Sequence, residues 1–136
     1  MKVLVIDGQG GGIGRQLVAA IKERVSGALV TAVGTNAAAT SAMLRAGADR
    51  AATGENAVVV NCRGAEVIAG PLGIVIADSL CGEITPAMAA AIGQSAASRV
   101  LIPVNQCENI VVGVPDMTLG KLVADAVSII ADIERR

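Results

Sequence analysis

Residues 2–25 carry the pattern that most restricts how this chain can fold. Val3-Leu4-Val5-Ile6 is a short apolar run closed by Asp7 and Gly8, as a buried strand requires. Five of the seven residues from Gly8 to Gly14 are glycine. Beyond them Ile13, Leu17, Ile21 and Val25 recur every four residues and share one face of a helix, with Arg15, Lys22 and Glu23 off it and Gly27 as a stop signal. A strand that becomes a helix over so short a span needs a tight turn. The helix must then pack back on its strand, which is the opening of a βαβ unit.

The alternation continues along the chain. Ala28 to Val33 reads as a second strand, and Asn36 as the N-cap of an alanine-rich helix that runs to about Ala46 and stops at Gly47. Asp49 to Thr53 forms a short third strand. Glu55 to Asn61 reads two ways: Val58-Val59-Val60 favours a strand, whereas the alternation calls for a helix. Glu66 to Ala69 is a fourth strand ended by Gly70-Pro71, and the apolar stretch 72–79 stays open between strand and buried turn. Thr85-Pro86 starts a helix reaching about Ser98, because a hydroxyl N-cap is followed by proline at the first helical position. Val100 to Val104 is a fifth strand. The five-residue connection Asn105 to Asn109 leads to Ile110–Val114, a link short enough to imply an antiparallel hairpin at a sheet edge. Leu119, Leu122, Val123, Ala126, Ile130 and Ile133 line one face of a terminal helix, with Lys121, Asp125, Asp132 and Glu134 opposite. Together these features predict one α/β domain over residues 1–136, with three layers and a mainly parallel sheet.

Composition removes several chemistries. The 136 residues include no Phe, Tyr, Trp or His. Without His there is no Ser-His-Asp or Cys-His catalysis and no imidazole metal ligand. Without aromatic rings there is no stacking platform for single-stranded nucleic acid. A formal net charge of −1 provides no electrostatic footprint for nucleic acid, so no nucleic-acid partner is expected. Cys62, Cys81 and Cys107 are odd in number and widely spaced, which fits neither a disulfide framework nor a CxxC metal site. Each reads as a small buried hydrophobe. No apolar run approaches the ~20 residues that span a bilayer, and the first strand begins at Lys2, so no membrane partner and a cytoplasmic location are expected. Alanine-rich helices at 37–46 and 86–98, nearly free of charge, can be buried on more than one face and predict a homo-oligomer.

The glycine loop is the candidate binding element. Glycines permit close backbone approach to a phosphate, and exposed amides at a helix N-terminus provide positive potential. Gly8, Gly10, Gly11, Gly12, Ile13 and Gly14 are therefore expected to hold the phosphate of a nucleotide or another phosphorylated small molecule, with Thr35 and Asn36 near its sugar. The alternative is a tight turn without a ligand. Gly8, Gly12 and Gly14 match the GxxxGxG spacing of short-chain dehydrogenases, which the chain resembles at this loop alone, and the resemblance implies NAD(P) or a related nucleotide. It stops short of catalysis, since those enzymes use a Tyr-x-x-x-Lys pair. The acidic residue expected to hold the ribose hydroxyls after the second strand is replaced by Gly34-Thr35-Asn36. GQGGGIGRQ also looks like the loop of partitioning-type ATPases, but Arg15 and Gln16 stand where a phosphate-binding Lys and a Mg²⁺-binding Ser/Thr are needed.

Over most of its length, through VIDGQGGGIGR, TGENAVVVNCR, GPLGIVIADSL and LIPVN, the chain resembles a family of small uncharacterised bacterial Rossmann-like proteins. That resemblance implies the fold and carries no activity with it. Asp7, Asp78 and Glu83 are candidate catalytic carboxylates, and Asp7 with Asp78, aided by Mg²⁺, suggest a small hydrolase or transferase as a weaker alternative. Asp7 is also placed to cap the loop amides. Asp78, Ser79, Glu83 and Thr85 form a second polar cluster whose bland reading is loop and capping chemistry. Asn61-Cys62-Arg63 offers an anion-binding arginine or a solvated one, and Asn105, Gln106 and Glu108 read as the hairpin turn. The remaining alternative is an oligomeric scaffold whose glycine loop is only structural.

Overall fold

A computed structural model of the protein describes residues 1–104 and 109–136. Five strands form one parallel sheet in the order β3-β2-β1-β4-β5, comprising β1 (Lys2–Asp7), β2 (Leu29–Gly34), β3 (Arg50–Thr53), β4 (Val67–Pro71) and β5 (Ser98–Ile102). Helices α1 (Gly12–Arg24), α2 (Ala37–Arg45), α3 (Glu55–Cys62), α4 (Pro86–Gln94) and α5 (Leu119–Glu134) connect or follow them, with a short 3-10 turn at Leu72–Val75. The result is a three-layer Rossmann-like α/β fold.

Strand periodicity sorts the core into two halves. Val3 and Val5 of β1 point to a cluster with Leu17, Val18 and Ile21 of α1, Met43 of α2, and Val123, Val127 and Ile130 of α5. Leu4 and Ile6 point to the other face, where Val58 and Cys62 of α3 meet Met88 and Ile92 of α4. Because helices cover both faces, the central strands read as unbroken apolar runs. α3 resolves as a helix because Val58 and Cys62, four residues apart, are both buried while Val60 faces outward. Burial of that face outweighs the strand preference of three consecutive valines.

The expected N-caps hold: the Asn36 side chain accepts from the Ala39 amide and Thr85 from the Met88 amide. α4 ends at Gln94 rather than near Ser98, and β5 starts two residues before Val100. The expected hairpin does not form. Ile110–Val114 forms no strand, Ile110 and Val112 are 84% and 94% exposed, and the sheet is wholly parallel. Pro103 cannot donate a ladder hydrogen bond where β5 ends, and Gly113 turns the backbone at φ 86°, so an antiparallel partner does not form. The proposed turn residues Asn105, Gln106 and Glu108, with Cys107, lie outside the described residues.

Gly70 of β4 shows how closely the layers meet. A Cβ there would strike the Ile6 carbonyl oxygen of the neighbouring strand and lie 3.0 Å from Ile74 Cδ1, whereas one at Gly93 in α4 meets open space. Gly70→Ala should therefore cost about 1–3 kcal/mol through overpacking. Gly93→Ala should instead raise stability by up to about 1 kcal/mol through helix propensity. Urea unfolding followed by far-UV circular dichroism reads both, since the chain has no aromatic side chain to follow; equal effects would refute the packing assignment.

Candidate functional site

In an open parallel sheet, ligands bind beyond the carboxyl ends of the strands where the strand order reverses. Here the chain moves outward from β1 through β2 to β3, then returns to the other side of β1 as β4. The reversal therefore lies between β1 and β4. A crevice of about 250 Å³ opens at this point, floored by residues 8–13 and walled by Pro71, Leu80 and Leu119, with Gln16 at its side.

The loop is built around Asp7. Gly11 takes a left-handed conformation at φ 73° and provides no side-chain cap for α1. The Asp7 carboxylate, only 4% exposed, does that work from the end of β1: Oδ1 accepts from the Gly8 amide and Oδ2 from the Gly14 amide, each at 2.7 Å. Gly14 has no room for a side chain, since a Cβ would lie 2.5 Å from Met43 Sδ and 2.8 Å from Asp7 Cβ. Burial pushes the Asp7 carboxyl above its ordinary range and the negative charge of Glu83 adds to this, while the amides of Gly14, Gly8 and Ile13 pull the other way. Asp7 thus fills part of the anion site that the helix would otherwise present. The Gly10 and Gly12 amides have no acceptor among the described residues, and a Cβ at either glycine meets nothing.

Glu83 provides the second anchor. It reaches from the segment after β4 to the end of β2, where its Oε1 accepts from Thr35 Oγ1 and from Asn36 Nδ2, both at 2.6 Å. The Gln9 amide donates to the same carboxylate. Burial opposes the charge, yet the Thr35 hydroxyl, the Asn36 carboxamide and the Gln9 amide outweigh it and hold the carboxyl below its ordinary value. An acidic group does stand at the tip of β2, but it arrives from a remote loop.

This chain belongs to a family, DUF3842, described as a domain of unknown function. Its model matches residues 2–135. No curated protein matches the chain. The DUF3842 site therefore has to be read from its own geometry. Thr35, Asn36, Asp7 and Glu83 all gather at the glycine loop. The rest of the second cluster disperses: Asp78 is exposed at φ 68°, Ser79 is buried and donates to the Gly73 carbonyl, and Thr85 bonds Glu55 at the start of α3. No side-chain hydrogen bond joins Asp78 to Asp7 or Glu83 among the described residues. Among the described residues no group of three or more Cys, Asp or Glu is assembled as a metal site needs. Cys62 is buried, and burial pushes its thiol up. Cys81, expected inside, is exposed: it sits at φ 55° in a turn with Leu80 and Gly82, which holds it outward, and Gln9 Nε2 donates to its sulfur at 3.7 Å. Pro71, Leu80 and Leu119 were not legible as site residues, because only the strand order brings their segments to the loop, whereas Gln9 and Gln16 join the site as neighbours of the glycines in sequence. No helix among the described residues is long and apolar enough to cross a membrane.

A lowered carboxyl stabilises the folded state fully above its unfolded value, here 4.5, and that contribution is lost as pH falls below it. Glu83→Gln should cost about 1 kcal/mol near neutral pH, because the group is part-exposed and glutamine keeps one acceptor. The cost should shrink as the pH drops below 4.5, where wild-type Glu83 also takes up its proton. Urea denaturation across pH 3–7 tests this, and a pH-independent cost would rule out Glu83 as an ionised clasp.

Proposed function

We propose that the protein binds a phosphorylated small molecule, with nucleotides including NAD(P) in its scope, in the crevice between β1 and β4. One observation carries the reading: at the reversal of strand order, the floor of an open crevice consists of glycine backbone whose Gly10 and Gly12 amides have no acceptor among the described residues. Such amides at a helix start favour an anion. Asp7 takes the Gly14 amide and fixes the loop, so the phosphate rests on the outer turn of the loop and the sugar lies toward Thr35 and Asn36, whose positions Glu83 holds. A reducing, cytoplasmic setting accords with the free thiols of Cys62 and Cys81.

A second reading rests on Asp7 as well. Because its carboxylate already satisfies the Gly8 and Gly14 amides, the loop is stable without a ligand, and the protein then acts as a self-associating scaffold. The outer face of α4, with Ala87, Ala90 and Gly93 exposed and uncharged, is the surface such a scaffold would pair through.

Thermal denaturation with NAD⁺, NADP⁺, ATP, AMP and ribose 5-phosphate separates the two. A saturable rise in Tm is expected for at least one of them, with a rise of RT ln(1 + [L]/Kd) in stability. Gly12→Leu, at a position where a Cβ would have no heavy atom within 4 Å, should abolish it while leaving the unliganded protein folded. Since the chain has no aromatic residue, an absorbance peak near 260 nm in purified protein free of nucleic acid would report a co-purified nucleotide. Loss of all ligand effects together with a dimer in analytical ultracentrifugation would favour the scaffold.

A further inference from the structure

The opposite edge of the sheet carries a separate polar cavity. It measures about 110 Å³ and lies between the amino ends of β1, β2 and β3 and the end of α3, with Lys2, Thr31, Arg50, Asn61 and Gly64 in its lining. Register explains the grouping. Leu4 of β1 pairs with Thr31 of β2, and Thr31 pairs with Arg50 of β3, so Lys2, Thr31 and Arg50 project on the face that α3 covers. α3 is only eight residues long and leaves this corner open.

The cavity has an excess of donors. Among the described residues neither Lys2 nor Arg50 forms an ion pair. Arg50 uses one nitrogen, donating to Thr31 Oγ1 at 3.3 Å, and the remaining guanidinium N–H groups have no acceptor among the described residues. Thr31 is 8% exposed, and its hydroxyl proton likewise has no acceptor among them. Asn61 Nδ2 donates one hydrogen to the Ala57 carbonyl and keeps the other. The opposing charge is Glu66, whose carboxylate accepts from the Lys2 backbone amide rather than from the ammonium group.

We propose that this cavity binds a compact oxyanion, the phosphate group of free phosphate or of a small monoester. A guanidinium, an ammonium, a hydroxyl and a carboxamide present the donor set that three phosphate oxygens accept from. The volume is below that of pockets enclosing drug-sized ligands, so any organic remainder extends into solvent. The site stands independently of the glycine-loop reading, because the two lie at opposite ends of the strands.

The test is a titration of the full chain with inorganic phosphate at constant ionic strength, using chloride as the matched control and following backbone amide resonances. Saturable shifts should appear at Thr31, Gly64 and Ala65. Arg50→Gln should weaken them about tenfold or more, given the worth of a charge-assisted hydrogen bond. Thr31→Val, which suits a strand, should weaken them without loss of fold, and the Lys2→Gln/Arg50→Gln double variant should remove them. Three results would overturn the proposal: no saturable shift at these amides, an equal shift with chloride, or unchanged affinity in folded Arg50→Gln. Shifts confined to Gly10 and Gly12 would overturn it as well while leaving the glycine-loop site standing.

Discussion

Asp7 is the point on which the upper half of the molecule depends. Its carboxylate, on the last residue of the central strand, accepts from the Gly8 amide at the start of the loop and from the Gly14 amide in the first turn of α1, and it is almost wholly buried. Without it the Gly8 and Gly14 donors would have no acceptor, and buried donors left unsatisfied cost about 1–3 kcal/mol each. The arrangement explains the glycines. Gly11 must turn left-handed, and Gly14 must lie against Met43 and Asp7 with no side chain between them. A loop that resembles a phosphate cradle in sequence is therefore partly filled by the protein's own anion.

Glu83 extends that design across the carboxyl edge. It fastens Thr35, Asn36 and Gln9 to a turn in which Asp78, Leu80 and Cys81 all hold positive φ. Backbone in that region is unfavourable for side-chain-bearing residues and persists where surrounding contacts over-determine it. Two carboxylates thus organise the carboxyl edge, while at the amino edge Lys2 and Arg50 form no ion pair among the described residues and Glu66 and Asp49 accept from backbone amides.

The fold was legible to the extent that it depends on local pattern. The strand runs from Lys2 and Ala28, the caps at Asn36 and Thr85 and the apolar face of α5 all follow from residues close in sequence, and each stands in the structure, the strands to within one residue at either end. Glu55 to Asn61 could not be resolved locally, since β-branching favours a strand and only contact with Leu4, Ile6 and α4 selects the helix. The hairpin does not form because a short link and an apolar run are not sufficient for one where Pro103, just past β5, lacks the amide a further ladder bond needs. In the site, the glycine loop, Asp7, Thr35 and Asn36 could be named from position alone. Glu83 stands out in the sequence as a polar candidate, but its bond to Thr35 spans 48 residues and no sequence period reports that.

The sequence by itself determined the alternation of strand and helix and the tight turn at residues 8–14, because hydrophobic period, glycine freedom and capping chemistry act over a few residues. It also excluded histidine, tyrosine and stacking chemistry by containing none of those side chains. Only the tertiary structure decided the strand order, and with it the crevice between β1 and β4 and the corner where Lys2, Thr31 and Arg50 meet. It also decided that Asp7 is a cap rather than a free carboxylate. These features depend on which distant segments exclude water together, and burial of that kind has no signature in the spacing of residues along the chain.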